Sequence, residues 1–364
     1  MRVVIAHDYL TQRGGAERVV LAMLRAFPGS PVVTSVYDPA GTFPEFADVD
    51  VRTSPLQSVA AVRRDPRLAF PVLAAAWSRT RVTDADVVLA SSSGWAHGLR
   101  STAPVVVYCH NPARWLYQPA DYLAGQPRLV APVLGALTPA LRRWDRAAAA
   151  RATSYLANSA AVADRVRIAY GRSADVVHPP VSIDASGPRR PVPGIQPGYL
   201  LAVARGRGYK NVGVVREAVE RYLPDARLVV VGDADPGSRT VVLPRVDDAE
   251  LRWLYANAEA LVSVAREDFG LTPLEANAVG TPAVLLRAGG FLETLVEGVN
   301  GVFVDDETAG AVAAAVQALR ASPPSPEEVR AHAQTFGLDR FAERLRIVVL
   351  AVASRGARSH QHDS

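Results

Sequence analysis

Short valine-rich apolar runs alternate with amphipathic stretches along most of the chain, an order that predicts a parallel α/β protein. In the first half, strands are expected over Val3–His7, Val32–Val36, Val87–Ala90, Val105–Cys109 and Ser154–Ala157. Helices are expected between them over Ala16–Ala26, Ala69–Arg79, Ala140–Ala150 and Ala160–Tyr170, the third starting just after Pro139, a residue suited to a first helical turn. The pattern then restarts, with strands over Tyr199–Ala204, Leu228–Gly232, Ala260–Val264, Ala283–Leu286 and Val302–Val304. Its helices are expected over Val212–Arg221, Asp248–Asn257, Thr272–Val279, Phe291–Val296 and Ala309–Ala321.

Between the two series lies a proline- and glycine-rich stretch, 187–198, that sustains neither helix nor strand and reads as a linker. The expected organisation is a first α/β domain over 1–186, a second over 199–337, a helix over 338–354 that could pack back on the first domain, and a disordered tail, 355–364, whose two histidines are taken as solvated. Two doubly wound sheets would bind ligands beyond the C-terminal ends of their strands, facing a central cleft.

Composition narrows the picture. The hydrophobic fraction of 49% with 21% charge is that of a soluble globular protein, and the longest apolar stretches, such as Leu129 to Leu137, are too short to span a bilayer. The N-terminus turns polar at His7-Asp8, so it reads as a buried strand rather than a secretory signal, and a cytoplasmic location is expected. A single cysteine, Cys109, excludes an internal disulfide and argues against a metal cluster. Charge is uneven: residues 1–185 carry 20 arginines against 14 acidic residues, net +6, whereas the remainder is net −2. A basic first half could face anionic headgroups or a phosphorylated acceptor, although ordinary solvated arginine gives the same count. No nucleic-acid motif accompanies it, so nucleic acid is not an expected partner.

Candidate chemistry concentrates in the second half. Of 40 basic residues one is lysine, Lys210, five residues after Arg205 and just beyond an expected strand. A compact ammonium suits a crowded site holding adjacent phosphates better than a planar guanidinium does. Sixty residues on, the stretch Ala265 to Pro282 places Glu267 after a strand, Gly270 at a tight turn and Pro273 in the first turn of a helix. The N–H groups of Leu271 and Thr272 would then lie at a helix N-terminus suited to phosphate, with Glu275 one turn in. A carboxylate on each side of a phosphate nest fits a diphosphate carrying a sugar at both ends. A glycosidase pair needs both carboxylates at one bond, which the intervening turn disfavours; a helix-dipole role is the alternative for Glu275.

At these residues the chain resembles the retaining GT-B glycosyltransferases of family 4. Glu267 and Glu275, spaced E-x7-E around Phe269-Gly270, look like that family's signature; Arg205 and Lys210 match its arginine–lysine pair, and Gly14-Gly15 its N-terminal glycine loop. Tyr108 to Tyr117, with Asn158-Ser159 and His178 to Val181, is most similar to bacterial O-antigen-type mannosyltransferases. The resemblance implies two Rossmann-like domains, the first on the acceptor side and the second binding a nucleotide sugar, with GDP-mannose the favoured donor. It implies that Arg205 and Lys210 bind the diphosphate in place of a divalent metal, and that Glu267 holds the transferred sugar. Glu275 would hold the ribose, Val246 would contact the base through its backbone, and His110 would contact the donor sugar near the reaction centre. A plain loop at Val246, a structural histidine at 110 and simple turn chemistry at Gly14-Gly15 are the alternatives. Arg207 could compete with Arg205 for phosphate.

No cofactor beyond the nucleotide sugar is expected, and no metal. Asp84-Ala-Asp86 precedes its strand and so points to the wrong sheet edge, while Asp233-Ala-Asp235 stands beside the arginine–lysine site. His7 and Asp8, ending the first strand, could face the acceptor. The stretch Val51 to Arg81 mixes arginine with Leu68-Ala-Phe70-Pro-Val-Leu73 and Trp77. It suggests a glycan or lipid-linked acceptor with peripheral contact at the inner face of the cell membrane; a helix packed on the core is the alternative. The rival functions are a nucleotide-sugar 2-epimerase of the same fold, a UDP-sugar-dependent transferase, and a non-catalytic nucleotide-sugar sensor.

Overall fold

The computed structural model describes residues 1–118, 130–181, 183–204 and 210–362. Its chain divides into two compact units, one formed by 1–180 together with 338–364 and the other by 181–337. The first boundary falls six residues ahead of the one expected from sequence.

The first unit contains β1 (Val3–His7), β2 (Val32–Thr34), β3 (Val51–Thr53), β4 (Arg81–Val82), β5 (Val87–Ser92), β6 (Arg100–Ser101), β7 (Val105–Cys109), β8 (Ser154–Ala157) and β9 (Asp175–Val176). Seven of these form one parallel sheet in the order β3-β2-β1-β5-β7-β8-β9, while β4 and β6 pair separately. Strand residues point alternately to opposite faces, and the core divides accordingly. Val4, Ala6, Val88, Ala90 and Val107 pack into one buried cluster, whereas Val3, Ile5, Val87, Leu89 and Tyr108 pack into another.

The second face is covered partly from the far end of the sequence. Helix Leu338–His362 inserts Phe341, Ala342, Leu345, Val349 and Val352 into that cluster, a stripe at helical spacing. The Phe341 ring meets Tyr108 edge-on at 5.9 Å, and Arg346 Nε donates to the carbonyl of Ala26 at 2.9 Å. The helix continues to His362, beyond the expected end at Ser354, so most of the expected disordered tail is helical. Its alanine and arginine residues favour the helix enough to carry it past Gly356.

Helix Val130–Arg151 also begins earlier than expected, with Pro139 inside it. An internal proline removes one backbone bond and stresses the preceding turn, at a cost of about 3 kcal/mol, but a single residue does not end a helix whose later turns are anchored. Here the anchors are Leu141, Asp145, Ala148 and Ala149, all buried.

The second unit contains β10 (Tyr199–Ala204), β11 (Leu228–Gly232), β12 (Thr240–Leu243), β13 (Ala258–Ser263), β14 (Ala283–Leu286) and β15 (Gly301–Val304), all parallel. Their order, β12-β11-β10-β13-β14-β15, is that of a doubly wound dinucleotide-type domain. The order reverses between β10 and β13, so the loops following these two strands open at the switch point where such sheets bind ligands. The expected linker belongs to this unit. Val192 and Ile195 are buried in its core, Arg190 pairs with Asp247 and Glu250, and Arg252 donates to the carbonyl of Pro188 at 2.8 Å.

Candidate functional site

In the second unit, the loops leaving β10 and β13 bring together two of the expected residues. Lys210 Nζ donates to Glu267 Oε1, with both side chains 17% exposed. The sole lysine therefore lies at the switch point, and its partner Glu267 is three residues of chain from the Gly270 turn. Arg205, with 206–209, lies outside the described residues. The next residue, Asn211, adopts a left-handed conformation (φ 48°) and donates to Glu307 Oε2 at 3.0 Å, while Arg266 pairs with Glu307 Oε1 at 2.8 Å. Glu307 thus ties the neighbour of Lys210 to the neighbour of Glu267. Sequence reading missed it because it lies 96 residues from Asn211 and carries no motif.

Gly270 has a φ of 91°, in the region open to glycine, and an added Cβ would strike the Phe291 ring. It caps helix Leu271–Ala278, whose first N–H groups, Leu271 and Thr272, precede the intrahelical ladder. Phe269 is buried and meets Phe336 at 5.8 Å, fixing the turn from behind. Glu275 accepts from the Tyr255 hydroxyl at 2.9 Å. Val246 lies beyond edge strand β12, on the flank of the same sheet edge, partly buried against the core.

A glycine pair absent from the sequence reading supports this loop. Gly290 N–H donates to the carbonyl of Glu267 at 3.0 Å, and side chains at Gly289 or Gly290 would collide with the Glu267–Phe269 backbone. A Gly-Gly two residues beyond a strand was the available signal.

In the first unit, His110 follows β7 at the C-terminal edge of the sheet. Its Nε2 lies 2.8 Å from Ser91 Oγ, and Asn158 Nδ2 donates to its carbonyl at 3.1 Å. Burial, then the charge of His7, pushes the His110 ring down to about 3, so it is neutral at ordinary pH. His7 and Asp8 do not face outward as an acceptor site would require; both are buried. Asp8 accepts from the N–H groups of Ser93 (2.7 Å), Trp95 (3.2 Å) and Ala96 (2.6 Å), which fixes the turn after β5. Gly14 has an extended backbone, and its missing side chain leaves room for the Glu17 carboxylate; Gly15 opens helix Gly15–Ala26.

The aspartate pairs have other partners. Asp84 accepts from Arg2 and Arg52 at 2.6 and 2.9 Å, and Asp86 from the backbone of Arg2. Asp235 lies 3.9 Å from Arg216. Among the described residues, no group of three or more histidine, cysteine or acidic side chains is arranged to hold a metal.

The stretch Val51 to Arg81 divides in its behaviour. Leu73 and Trp77 are core residues, as a packed helix requires, whereas Leu68 is 67% exposed and Val72 50%. Beside Val72 is a cavity of about 490 Å³ with apolar walls from Leu56, Val72 and Val82 and with Arg52, Arg79 and Arg81 among its lining.

Two family models match the chain in succession: Glycosyltransferase Family 4 over residues 13–185 and Glycosyl transferases group 1 over residues 190–336. A D-inositol 3-phosphate glycosyltransferase 1 of Catenulispora acidiphila is 30% identical over 264 residues, covering 62% of this chain and 63% of its own length. A D-inositol 3-phosphate glycosyltransferase of Xylanimonas cellulosilytica is 26% identical over 296 residues, 70% of this chain and 68% of that protein. The crystal structure of Anabaena HepE in complex with UDP-glucose superposes with a TM-score of 0.71 at 17% identity, over 96% of this chain and 100% of that one, a likeness of fold.

Proposed function

Because the chain belongs to the family 4-type glycosyltransferases of the GT-B fold, we infer that its second unit grips a nucleoside diphosphate sugar and its first unit presents the acceptor. The observation that carries this reading is the Lys210–Glu267 pair at the switch point, next to the start of helix Leu271–Ala278. A diphosphate there would take Lys210 as counter-ion alongside Arg205 and the N–H groups of Leu271 and Thr272. Glu267, released from the ammonium, would accept from hydroxyls of the transferred sugar, and Glu275 from those of the ribose.

The proposed reaction retains anomeric configuration. The acceptor oxygen bonds to the anomeric carbon on the face from which the phosphate departs, the bond from that carbon to the phosphate oxygen breaks, and the acceptor proton passes to that oxygen. Charge builds on the departing diphosphate, where Lys210 and Arg205 stabilise it. Those cations do the work a divalent metal does elsewhere, so activity should persist in EDTA. Lys210→Ala should lower kcat by about 100-fold or more, the scale seen when one donor to a developing oxyanion is removed. Turnover of Lys210→Ala at the wild-type rate would contradict the assignment.

GDP-mannose is the proposed donor, on the resemblance of Tyr108 to Tyr117 to mannosyltransferases, and a glycan or lipid-linked sugar the proposed acceptor. The apolar cavity at Leu56, Val72 and Val82, with Arg52, Arg79 and Arg81 in its lining, together with the exposed Leu68 of the same stretch, supports the lipid-linked part and a peripheral membrane contact at the cytoplasmic face. No described helix is long and apolar enough to cross a membrane. A second reading, transfer to an inositol phosphate, is favoured by the names of the relatives at 26–30% identity. Incubating the enzyme with GDP-mannose or UDP-hexoses against inositol phosphate and polyprenyl-diphosphate sugars separates these readings. Product only with the inositol phosphate would replace the lipid-linked acceptor.

A further inference from the structure

Within the first unit, β1, β5 and β7 are neighbours, and the register places His7 beside Ser91. His110 lies one residue past the end of β7, next to the same serine. A continuous line of polar atoms results. Gln12 Nε2 donates to Glu17 Oε1 at 3.0 Å; that oxygen is 3.6 Å from His7 Nε2; His7 Nδ1 is 3.0 Å from Ser91 Oγ; and Ser91 Oγ is 2.8 Å from His110 Nε2. Glu17, His7 and Ser91 are 1%, 2% and 0% exposed, so water does not interrupt the line.

Hydrogen counting sets its direction. Ser91 has one hydroxyl hydrogen, which goes either to His7 or to His110. If His7 is protonated on both nitrogens, Nε2–H faces Glu17 and Nδ1–H donates to Ser91. The serine then turns its hydrogen to His110 Nε2, and the His110 proton must sit on Nδ1. If His7 is neutral, its one proton stays on Nε2 opposite the carboxylate, Nδ1 accepts from Ser91, and His110 Nε2 must carry the proton instead. The charge of His7 therefore selects the tautomer of His110.

The charges facing His7 favour the first arrangement. Burial pulls its basicity down, but the nearby carboxylate of Glu17, the charge of Asp8 and the contact with Ser91 raise it overall. Burial and the charge of His7 both lower the basicity of His110 and keep that ring neutral.

We propose that Glu17 and His7 are positioning residues that act through Ser91 to hold His110 as a neutral imidazole protonated on Nδ1. The ring then offers a hydrogen-bond donor from the atom not engaged by Ser91. Gly14 is part of the same device, since any side chain there would displace the Glu17 carboxylate. The functional consequence rests on the reading that His110 contacts the donor sugar; the tautomer itself does not.

The test uses the full chain labelled with 15N-histidine. Seven histidines give a sparse side-chain spectrum, and His110→Gln assigns its two nitrogens. Wild-type protein should show His110 Nε2 unprotonated and Nδ1 protonated. In Glu17→Gln the two should exchange roles, and in Ser91→Ala, which deletes only the linking oxygen and serves if Glu17→Gln does not fold, the preference should disappear. On the glycosyltransferase reading, kcat should fall about 10- to 100-fold in both variants with the donor KM changed by less than about 2-fold. A wild-type His110 protonated on Nε2, or an unchanged pattern in Ser91→Ala, overturns the proposal. A pattern that shifts while turnover does not upholds the relay and removes His110 from the donor site.

Discussion

Single residues carry most of the chemistry, and their effects are separable. Lys210 and Glu267 form a partly buried pair whose ammonium and carboxylate, on the proposed function, each have a second use once a diphosphate sugar binds. Gly270 is held by two independent constraints, a φ of 91° and the Phe291 ring. Gly270→Ala should therefore destabilise the protein by about 1–3 kcal/mol, measured by denaturant unfolding, and weaken donor binding as well. His110 makes a prediction about acid. Its folded-state value of about 3 lies below the unfolded value near 6.5, so between these pH values only the unfolded chain binds the proton. Stability should thus fall as pH drops through that window, by up to about 1.4 kcal/mol per pH unit for this one group. His110→Gln should lose that component of the slope; an unaltered slope from pH 6.5 to 3 would show that His110 is not held neutral.

At the scale of elements, packing explains what the sequence reveals and what it conceals. Buried parallel strands such as Leu228–Gly232, and Val87–Ser92 over its first four residues, carry continuous apolar runs, visible without any partner. Edge strands are not: Val51–Thr53 places an arginine between partly exposed neighbours, and Thr240–Leu243 has an exposed Val241. Helix Pro326–Gln334 escaped despite a capping box of Ser325 and Glu328, because its nine residues include few apolar positions. Lys210 and Glu267 were conspicuous in the sequence because each follows a strand in a short motif. Glu307 and Gly289-Gly290 in the second unit, and the Glu17–His7–Ser91 line in the first, were not, since only the strand order within each unit brings them to their partners. The closing helix behaved as its apolar stripe predicts. Phe341→Ala should cost about 3–5 kcal/mol, read as a lowered unfolding midpoint, whereas a core-independent helix would tolerate the change.

For the whole molecule, net positive charge gathers in the first half of the chain, and the proposed phosphate-binding residues lie in the second unit. The cavity lined by Val72 and three arginines, together with exposed Leu68, predicts flotation with vesicles containing anionic lipid, reduced several-fold by Leu68→Asp with Val72→Asp. No flotation of the wild type would confine the enzyme to soluble acceptors. The proposed nucleotide-sugar site needs no acceptor to be tested. Ligands that bind only the folded state raise its stability by about 2.7 kcal/mol at 100 times Kd. The most direct measurement is a thermal unfolding series with nucleoside diphosphate sugars on the wild type and Lys210→Ala. A rise in midpoint with at least one such sugar, lost in Lys210→Ala, is the predicted result; an equal rise in both proteins, or none with any nucleotide sugar, would contradict the account.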